Sequence, residues 1–595
     1  MNPVGLPARA RVHPLPTEVS QPAPGGSIFQ DMRLIPTCRA RSPFPFRKYA
    51  FYMFMVLLSA LLPTSTFADT FVRINQLGYK PADPKVAVVM SDQPVQIPRF
   101  QLRDRSGDVV FEGELSEDQG AWLAFDHHYL ADFSAYRHPG GYRLIAGNAE
   151  SHPFPISTLV YEGLPDSLLA FFHVQRCGDA EARYHGPCHL QDACCVVKPD
   201  GRRVNKAHDV TGGWHDAGDY TKFVLTASHA VYFMLLTRHY MPGAFGDHNG
   251  NGINDLLDEA HIGLDWLMKM HPSKDRLFAQ VQDKTDHGVG WRLPENDTLA
   301  DERPVFELPS RAIAGSSVAA MALGAMVLRD EDPAYADRLL QHAERLWHLA
   351  IGQTLPKASI GPDSMYFDAE DADNLALAAV ELYHATGAED YHDEAVKRLD
   401  ALEPAYWPSW GDVTGLAHAR FSAIHKPSRE KTEQSLAYFA EIAEGNPFGY
   451  PLTVFPWGST SVQLTIAALG ILLSEEVETI QEVPPVVYRQ RDFVLGENPH
   501  GVVFIGGFGE EHVRYPHHQI AHLTGQPLPG VLVAGYASRD QFEALGIAMA
   551  GEDRFATFQT EKVVYYDNRN DYLTNEPTVA GNAIALFVYT WFSLH

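Results

Sequence analysis

The chain has 595 residues, with Lys+Arg 47 against Asp+Glu 74 and a formal net charge of −27. That acidic balance excludes nucleic-acid binding and attachment to an anionic membrane surface, because both require a cationic field. A hydrophobic content of 45% with 20% charged residues predicts a globular protein, and 5 cysteines are too few for a disulfide scaffold of this size.

Residues 1–68 are predicted to be a leader ending in a signal peptide that is cleaved. Arg47 and Lys48 precede an apolar run at 50–62, and Ala68 closes a small-residue cleavage site. The run is shorter than the ~20 residues that span a bilayer. We therefore expect a secreted or periplasmic monomer with no membrane contact beyond the signal peptide.

Residues 69–157 show the pattern of short β-strands. Apolar and polar residues alternate over 71–79, residues 85–90 are a compact β-branched run, and a Pro-Gly-Gly turn at 139–141 precedes the run 142–145. Strands at this spacing, without a helical stretch, predict a β-sandwich of about ninety residues that packs against or orients its neighbour.

Residues 158–595 change to the 3.6-residue period of helices, with Pro/Gly/Asp/Asn-rich separators. No fixed repeat of roughly 30–45 residues recurs, which argues against a solenoid. Many helices without strand alternation predict a mainly α domain closed as a helical barrel or toroid. The predicted helices cover 253–270, 313–328, 335–351, 375–386, 391–402, 431–444, 461–473 and 580–594.

The densest motif is GGWHDAGDY at 212–220. Asp216 and Asp219 are three residues apart and separated by small residues, so both carboxylates can point into one cleft from a tight loop. That arrangement suits activation of a water by one carboxylate while the other fixes or polarises it. The alternative is that Asp219 caps the helix that begins near Phe223.

A second motif, YDNRNDYLTNE at 566–576, leads into the last predicted helix. Glu576, at the mouth of that apolar helix, can have its pKa raised by desolvation, as a general acid requires. The alternative is a capping Glu whose charge interacts with the helix dipole.

A third motif joins the Gly-rich loop 504–509 to RYPHHQ at 514–519. The loop can bring hydrogen-bond donors toward a polar ligand. The alternative is a purely structural role, which is the commoner role of a His pair.

Together, and in their order along the chain, the three motifs resemble those of glycoside hydrolase family 9, the inverting β-1,4-glucanases. The NQLGY segment at 75–79 is similar to the opening of the immunoglobulin-like module that precedes the catalytic domain in one branch of that family. The resemblance covers essentially the whole mature chain. It implies a mainly α fold, with an (α/α)6 barrel catalytic domain at 158–595 preceded by a small all-β immunoglobulin-like sandwich at 69–157.

By this resemblance Asp219 is the general base, Asp216 helps to hold the water and Glu576 is the general acid. In a single displacement Glu576 protonates the leaving oxygen while Asp219 activates water on the opposite face of the sugar ring, with the carboxyl groups roughly 6.5–9.5 Å apart. The resemblance also implies that Asp567 is a functionally sensitive carboxylate of the catalytic set and that His517 binds sugar.

Two departures from the family pattern concern the sugar subsites. Gln519 stands where the family usually has Arg, and whether Arg514 replaces that cation stays open. Pro577 stands where a small aliphatic residue usually follows the Glu. Trp214 is a candidate sugar-stacking platform, with packing in the core as the open alternative.

The segment DHNGNGINDLLDE at 247–259 has an EF-hand-like rhythm of oxygen donors, with Gly252 at the turn position. A polar turn that caps the following helix is the alternative, and a similar loop in this family branch favours calcium. The predicted calcium ligands are Asp247, Asn249, Asn251, Ile253 through its carbonyl, Asp255 and Asp258.

Cys177, Cys188, His189 and His208 are a candidate Cys2His2 structural zinc site, which would staple the start of the helical region to the loop with the two Asp residues. A Cys177–Cys188 disulfide is the competing interpretation in an oxidising compartment. The resemblance favours zinc, because the same family branch has zinc at matching positions.

The leading prediction is an endo-acting, inverting hydrolase of β-1,4-glucosidic bonds in cellulose or soluble β-glucans, with structural calcium and zinc and no organic cofactor. An exo-acting hydrolase of cello-oligosaccharides or β-1,4-glucosaminides is the alternative, which Gln519 favours. A catalytically silent carbohydrate-binding protein would predict substitution of Asp219 or Glu576, and both are present. Cys194 and Cys195 have no assigned role.

Overall fold

The computed structural model describes residues 69–352, 354–358, 361–363 and 365–595. The predicted leader and signal peptide lie outside these residues. Within the described ranges, no helix is both long enough and apolar enough to cross a membrane. An all-β part comes first and a helix-rich part follows, as the change of period predicts.

The N-terminal part is a sandwich of two antiparallel sheets. One sheet has the order β1-β2-β5, and the other has the order β4-β3-β6-β7, with β8 also paired to β6. The strands are β1 (Thr70–Arg73), β2 (Val86–Ser91), β3 (Arg99–Asp104), β4 (Val109–Glu114), β5 (His127–Asp132), β6 (Gly140–Ala146), β7 (Ala149–Glu150) and β8 (Phe154–Ile156).

Alternation of side chains places the sandwich core between the two sheets. In β3, Phe100 and Leu102 are buried, whereas Arg103 is exposed. Val89 of β2 and Leu144 of β6 face the same core. The first strands therefore follow the pattern read from the sequence, while β5 was not predicted.

The helical part is built around a closed ring. The helices are α1 (Leu164–Gln175), α2 (Val224–Tyr240), α3 (Asp255–Met270), α4 (Arg311–Val327), α5 (Pro333–Ile351), α6 (Ala372–Thr386), α7 (Glu389–Ala401), α8 (Thr414–Arg420), α9 (Lys426–Glu444), α10 (Ser459–Glu476), α11 (Pro485–Val494), α12 (Gln519–Thr524), α13 (Arg539–Leu545) and α14 (Val579–Leu594). Six of them contact in the cyclic order α2-α4-α6-α8-α10-α14 and back to α2.

The distribution of apolar residues around each helix explains whether it lies in the ring or outside it. α2, α10 and α14 are apolar on nearly every face, and almost all their residues are buried. α5 and α7 each have one apolar face, and they pack on the outside against α4 and α6. The amphipathic helices therefore cover an inner layer that has little contact with water.

A small sheet with the strand order β10-β9-β13-β12-β11 positions the chain before α2. Its strands are β9 (Cys195–Val197), β10 (Arg203–Val204), β11 (Lys222–Phe223), β12 (Gln280–Val281) and β13 (Pro304–Phe306); β14 (Ala537–Ser538) and β15 (Val563–Val564) pair separately. Because β11 runs directly into α2, the sheet fixes the loop at 212–221.

The sandwich is hydrogen-bonded to the helical part through buried polar side chains. Gln76 Nε2 donates to the Gly501 carbonyl at 2.7 Å, and Gln76 Oε1 accepts from the backbone N–H groups of Glu510 and Glu511 at 3.0 Å each. Asn75 Nδ2 donates to Asp492 Oδ1 at 2.7 Å. The NQLGY segment is thus a joint between the two parts.

Candidate active site

The loop at 212–221 carries two carboxylates and meets both other motifs. Gly218 N donates to Glu576 Oε1 at 3.2 Å, and a Cβ on Gly218 would lie 2.2 Å from the His517 carbonyl oxygen. Only glycine fits there. The backbone of Asp216 accepts from Val579 N at 2.9 Å, which docks the loop on the start of α14.

Asp219 is held by donors on both carboxylate oxygens. Oδ1 accepts from Thr221 N and Oγ1 at 2.9 and 2.6 Å, and Oδ2 lies 2.7 Å from His287 Nε2. Burial alone would raise the pKa of Asp219, but the hydrogen bond and charge of His287 bring it below its ordinary value. Asp219 is therefore ionised at neutral pH, as a general base must be.

Asp216 is more deeply buried and lies between two hydroxyl groups. Thr226 Oγ1 donates to its Oδ1, and the Tyr366 hydroxyl donates to its Oδ2. Burial raises the pKa of Asp216 to about 7 against the opposing effect of these bonds. The two hydroxyl groups fix the orientation of the carboxyl beside Asp219.

Glu576 has the opposite electrostatics to Asp219. Burial raises the pKa of Glu576 well above its usual range, and the negative charge of Asp219 raises it further. Both effects favour the protonated form of Glu576, which is the form that a general acid needs. Two carboxyl groups whose environments push their pKa values apart are the arrangement that general acid–base catalysis requires.

A row of aromatic side chains lies beside the carboxyl groups. The Trp291 ring is 5.2 Å from the His517 ring, His517 is 5.8 Å from Tyr572, and Tyr572 is 5.9 Å from Trp457, measured between centroids. All four are at least partly exposed. Rings of this size offer flat apolar area with a polar edge, which suits contact with a sugar ring. These four residues are called the aromatic row below.

Three contributors to this geometry are not in the sequence motifs. His287 lies in a 3₁₀ turn at Lys284–Val289, Trp291 lies just after it, and Tyr366 comes from the segment before α6. None of them has a local signal that separates it from an ordinary loop residue. Only the fold brings them to the 212–221 loop.

Trp214 is not available for sugar stacking. Its side chain is buried at 2% exposure, its ring is 5.5 Å from that of Phe172, and its Nε1 donates to Glu259 Oε1 at 2.7 Å. The stacking interpretation was therefore wrong, because the indole N–H finds its partner inside the domain. Trp214 anchors the loop to α3.

Asp567 supports the site without facing it. Its carboxylate accepts from the backbone N–H groups of Arg514 and Tyr515 at 2.9–3.1 Å and from Arg554 Nη2 at 2.6 Å. Its side chain has no exposed area. The structure thus gives Asp567 a positioning role, because its oxygens are occupied in holding the chain that leads to His517.

The two departures from the family pattern also have structural roles. Gln519 is buried and its Oε1 accepts from Arg292 N at 3.1 Å, so it fixes the segment next to Trp291. The Arg514 side chain is half exposed, and its Nη2 lies 3.8 Å from Glu511 Oε1. Pro577 is buried beside Val533.

Four metal-ligating side chains lie together next to the loop: Cys177, Cys188, His189 and His215, all buried and with their ligand atoms within 4.8 Å. The Cys177 Sγ–His189 Nδ1, Cys188 Sγ–His215 Nε2 and His215 Nε2–His189 Nδ1 distances are 3.6, 3.7 and 3.3 Å. Tetrahedral zinc with ordinary bond lengths has edges of about 3.6 Å between S and N and about 3.4 Å between two N atoms. The residues fit the metal.

His208 is not part of this group, so its prediction as a ligand was wrong. Its backbone is paired with Ala193 in both directions, and its ring lies against Phe278 with centroids 5.4 Å apart. These contacts account for His208, whose ring nitrogens are not among the clustered ligand atoms. His215, from the GGWHDAGDY motif itself, takes its place.

The metal group is linked to the catalytic loop by charged side chains. His189 Nε2 is 3.0 Å from Asp297 Oδ2, and Asp297 binds Arg292 at 2.7 Å. Arg292 binds Asp286 at 2.5 Å, and Asp286 accepts from Tyr220 N at 3.2 Å. A carboxylate behind a ligating His fixes the orientation of the ring, and here the same chain of contacts ends beside Asp219.

The predicted calcium loop adopts a tight turn before α3. Asp247 accepts from the backbone N–H groups of Gly250 and Gly252 at 2.7 and 2.8 Å, and Asp258 Oδ2 lies 2.6–2.8 Å from the side-chain amides of Asn249 and Asn251. The oxygen-bearing side chains thus converge. Among the other predicted ligands, Asp255 pairs with His248 at 2.6 Å, and Ile253 N donates to Asn251 Oδ1 at 2.8 Å.

Comparison with known proteins gives the family. A family model described as glycosyl hydrolase family 9 matches residues 161–589, and one described as cellulase N-terminal ig-like domain matches residues 68–151. The chain is 27% identical to a cellodextrinase of Butyrivibrio fibrisolvens, over 87% of this chain and 98% of the relative.

Two further matches agree. A xyloglucan-specific endo-β-1,4-glucanase of Bacteroides ovatus is 27% identical over 87% of this chain and 93% of its own. The crystal structure of a metagenome-derived family 9 endoglucanase superposes with a TM-score of 0.76 at 28% identity, covering 88% of this chain and 99% of that one. The resemblance seen in the motifs is confirmed, and the chain belongs to glycoside hydrolase family 9, with a cellulase-type immunoglobulin-like domain before its catalytic domain.

Proposed function

We propose that the protein is an inverting endo-β-1,4-glucan hydrolase whose ring of helices is an (α/α)6 barrel. The single observation that carries the proposal is the pair Asp219 and Glu576. They meet around Gly218, and their environments favour the ionised form of Asp219 and the protonated form of Glu576.

In the proposed mechanism, Glu576 gives its proton to the leaving glycosidic oxygen. Asp219 takes a proton from a water that attacks the anomeric carbon from the opposite face, so the product has inverted configuration. Asp216, held by Thr226 and Tyr366, orients that water together with Asp219. The aromatic row holds the sugar ring beside them.

The relatives support a β-glucan as the substrate. Two are named for cellodextrin and xyloglucan hydrolysis, and the matching crystal structure is that of an endoglucanase. Partly exposed rings beside a catalytic pair suit a chain of glucose units, because each glucose presents a flat apolar face.

Hydrolysis of β-1,4-glucosaminides is the second candidate, favoured by a group of acidic residues next to Tyr366. Burial, together with the charges of neighbouring carboxylates that include Asp412, raises the pKa of Asp368 to about 8 and that of Asp373 to about 6. The Trp410 ring is 5.0 Å from that of Tyr366. A protonated amine bound there would favour the ionised forms of these carboxyl groups and would be attracted to them.

The products from four substrates test both candidates. Cellohexaose, carboxymethyl-cellulose, xyloglucan and chitosan hexamer are incubated with the protein, and anomeric configuration is followed by proton NMR. Early α-anomer with falling viscosity supports an endo-acting glucanase, and α-anomer from the oligosaccharide alone indicates terminal attack. Product from the chitosan hexamer alone would favour the glucosaminide hydrolase over the glucan hydrolase. Binding without product would favour the carbohydrate-binding alternative.

The proposal includes two structural metals and export. Cys177, Cys188, His189 and His215 would hold zinc, whose chemistry here is to crosslink the chain next to the catalytic loop. The convergent oxygens of the 247–258 loop would hold calcium. We also keep the prediction of a cleaved leader at 1–68 and of a monomer.

A further inference from the structure

Cys194 and Cys195 are a vicinal thiol pair with no part in the catalytic or metal sites. Their sulfur atoms are 3.1 Å apart, within the described residues both are free thiols, and Cys194 is partly exposed whereas Cys195 is buried. Both sulfurs therefore lie on the same side of the chain, at a separation that one bond can close.

The backbone around the pair is held on both sides. Cys194 N donates to the Arg303 carbonyl at 3.0 Å, and Cys195 begins β9, which pairs with β13. The preceding Ala193 is hydrogen-bonded in both directions to His208. The thiols are thus positioned by neighbouring structure rather than by each other.

The two thiols differ in their electrostatic surroundings. Arg203 Nη2 donates to Cys194 Sγ at 3.2 Å, so a cationic group lies against the partly exposed sulfur. Burial raises the pKa of Cys195 to about 11. Cys194 is consequently the accessible nucleophile, and Cys195 is the thiol behind it.

We propose that Cys194 and Cys195 are a redox-active pair that forms a vicinal disulfide by exchange with a small disulfide such as oxidised glutathione. The Cys194 thiolate attacks one sulfur of the oxidant and releases one thiolate, which leaves a mixed disulfide. Cys195 then loses its proton and attacks Cys194 Sγ, which releases the second glutathione. Two electrons pass from the protein to the oxidant, and two glutathione molecules leave reduced.

The ring would be easily reduced again. Adjacent Cα atoms are about 3.8 Å apart across a trans peptide, which is shorter than the separation of about 4.4–6.8 Å usual for a disulfide. A strained disulfide is a labile one. Arg303, whose carbonyl accepts from Cys194 N, donates through Nη2 to the Tyr220 carbonyl at 2.7 Å. Arg303 therefore connects the thiol pair to the catalytic loop.

Oxidised glutathione and mass spectrometry test the proposal on the purified, metal-loaded protein. The protein is equilibrated over a series of reduced-to-oxidised glutathione ratios, denatured in N-ethylmaleimide and digested. We expect Cys194 and Cys195 to be unalkylated in a peptide two hydrogen masses lighter than the dithiol, while Cys177 and Cys188 are alkylated. Excess reduced glutathione should restore both alkylation sites.

Three variants separate the steps. Cys195→Ser should stop at a glutathione adduct on Cys194, Cys194→Ser should show neither product, and Arg203→Met should slow the first step about fivefold, the effect of one nearby charge. Circular dichroism checks that each is folded. Both thiols still alkylated at the highest oxidant ratio in the wild type, or a bond from Cys194 to Cys188, would overturn the proposal.

Discussion

His287 Nε2 lies 2.7 Å from Asp219 Oδ2, and this contact sets the charge of the proposed base. Because the hydrogen bond and charge of His287 lower the pKa of Asp219, the carboxylate stays ionised in acid. Activity should be lost as the pH falls through that lowered pKa.

His287→Ala should therefore move the acidic limb of the kcat/KM profile to higher pH. Without the imidazole, burial is less opposed, the pKa of Asp219 rises, and protonation inactivates it earlier. His287→Gln is the matched control, because its amide keeps a donor without the charge, and we expect a smaller shift. An unchanged acidic limb in both variants would remove Asp219 from the role of base.

Glu576→Gln should lower kcat by at least ~10²-fold, the usual contribution of a general acid. The alkaline limb should also disappear, because wild-type activity is lost as the pH rises through the raised pKa of Glu576. Glu561→Gln, at an exposed position, is the control. Near-wild-type turnover of Glu576→Gln would contradict the assignment.

Glu576→Gln should also weaken the pH dependence of the free energy of unfolding. The pKa of Glu576 is raised in the folded protein but not in the unfolded chain. As the pH rises above the ordinary carboxyl range, the unfolded chain ionises first, so the free energy of unfolding falls. Glu576→Gln cannot ionise, so its free energy of unfolding should fall less than that of the wild type over this range. Urea titrations at several pH values measure the difference.

Asp567→Ala should destabilise the fold by about 3 kcal/mol, because it removes the acceptor of two buried backbone N–H groups and one of the acceptors of Arg554, which keeps its bond to Glu511. Since Asp567 holds the chain that leads to His517, KM should rise more than kcat falls. Denaturant unfolding and steady-state kinetics measure both. A loss confined to kcat would instead indicate direct participation in catalysis.

His215→Ala should lower the zinc content of the purified protein, whereas His208→Ala should leave it at the wild-type level. Of these two histidines, only His215 contributes a nitrogen to the group with Cys177, Cys188 and His189. Elemental analysis and the change of Tm on chelation distinguish the two variants. Zinc lost in His208→Ala and retained in His215→Ala would restore the sequence-based ligand set.

Calcium should raise the Tm of the wild type, because an ion that binds only the folded state stabilises it. Asp247→Ala removes an oxygen donor from the loop and should abolish the rise. Asp301→Ala, at an exposed position elsewhere, should leave it unchanged. The site is excluded if calcium leaves the wild-type Tm unaltered.

The catalytic motif shows what a sequence can and cannot determine here. Small residues between Asp216 and Asp219 predicted a tight loop, and the structure has one. The orientation of the Trp214 side chain could not be predicted, because it depends on a hydrogen bond to Glu259, 45 residues away. His287 and Tyr366 lie 68 and 150 residues from the carboxylates they contact, so no local pattern could indicate them.

One member of the metal group was predicted wrongly for a related reason, whereas Cys177, Cys188 and His189 were predicted. His208 and His215 both follow the Cys188-His189 pair, and spacing alone allows either to return to it. The pairing of His208 with Ala193 decides the outcome. Helices, by contrast, follow from their 3.6-residue period: the predicted 335–351 and 580–594 became Pro333–Ile351 and Val579–Leu594.

The contacts of Gln76 bear on how this protein can be engineered or shortened. One side chain supplies a donor and an acceptor to backbone groups at Gly501, Glu510 and Glu511, so the catalytic part depends on its neighbour for hydrogen bonds it cannot make alone. Excising the N-terminal domain would expose amide groups in the very segment that continues to His517. A module from another protein could replace this domain only if it offered the same side-chain amide at the same place. The two domains must therefore be exchanged together.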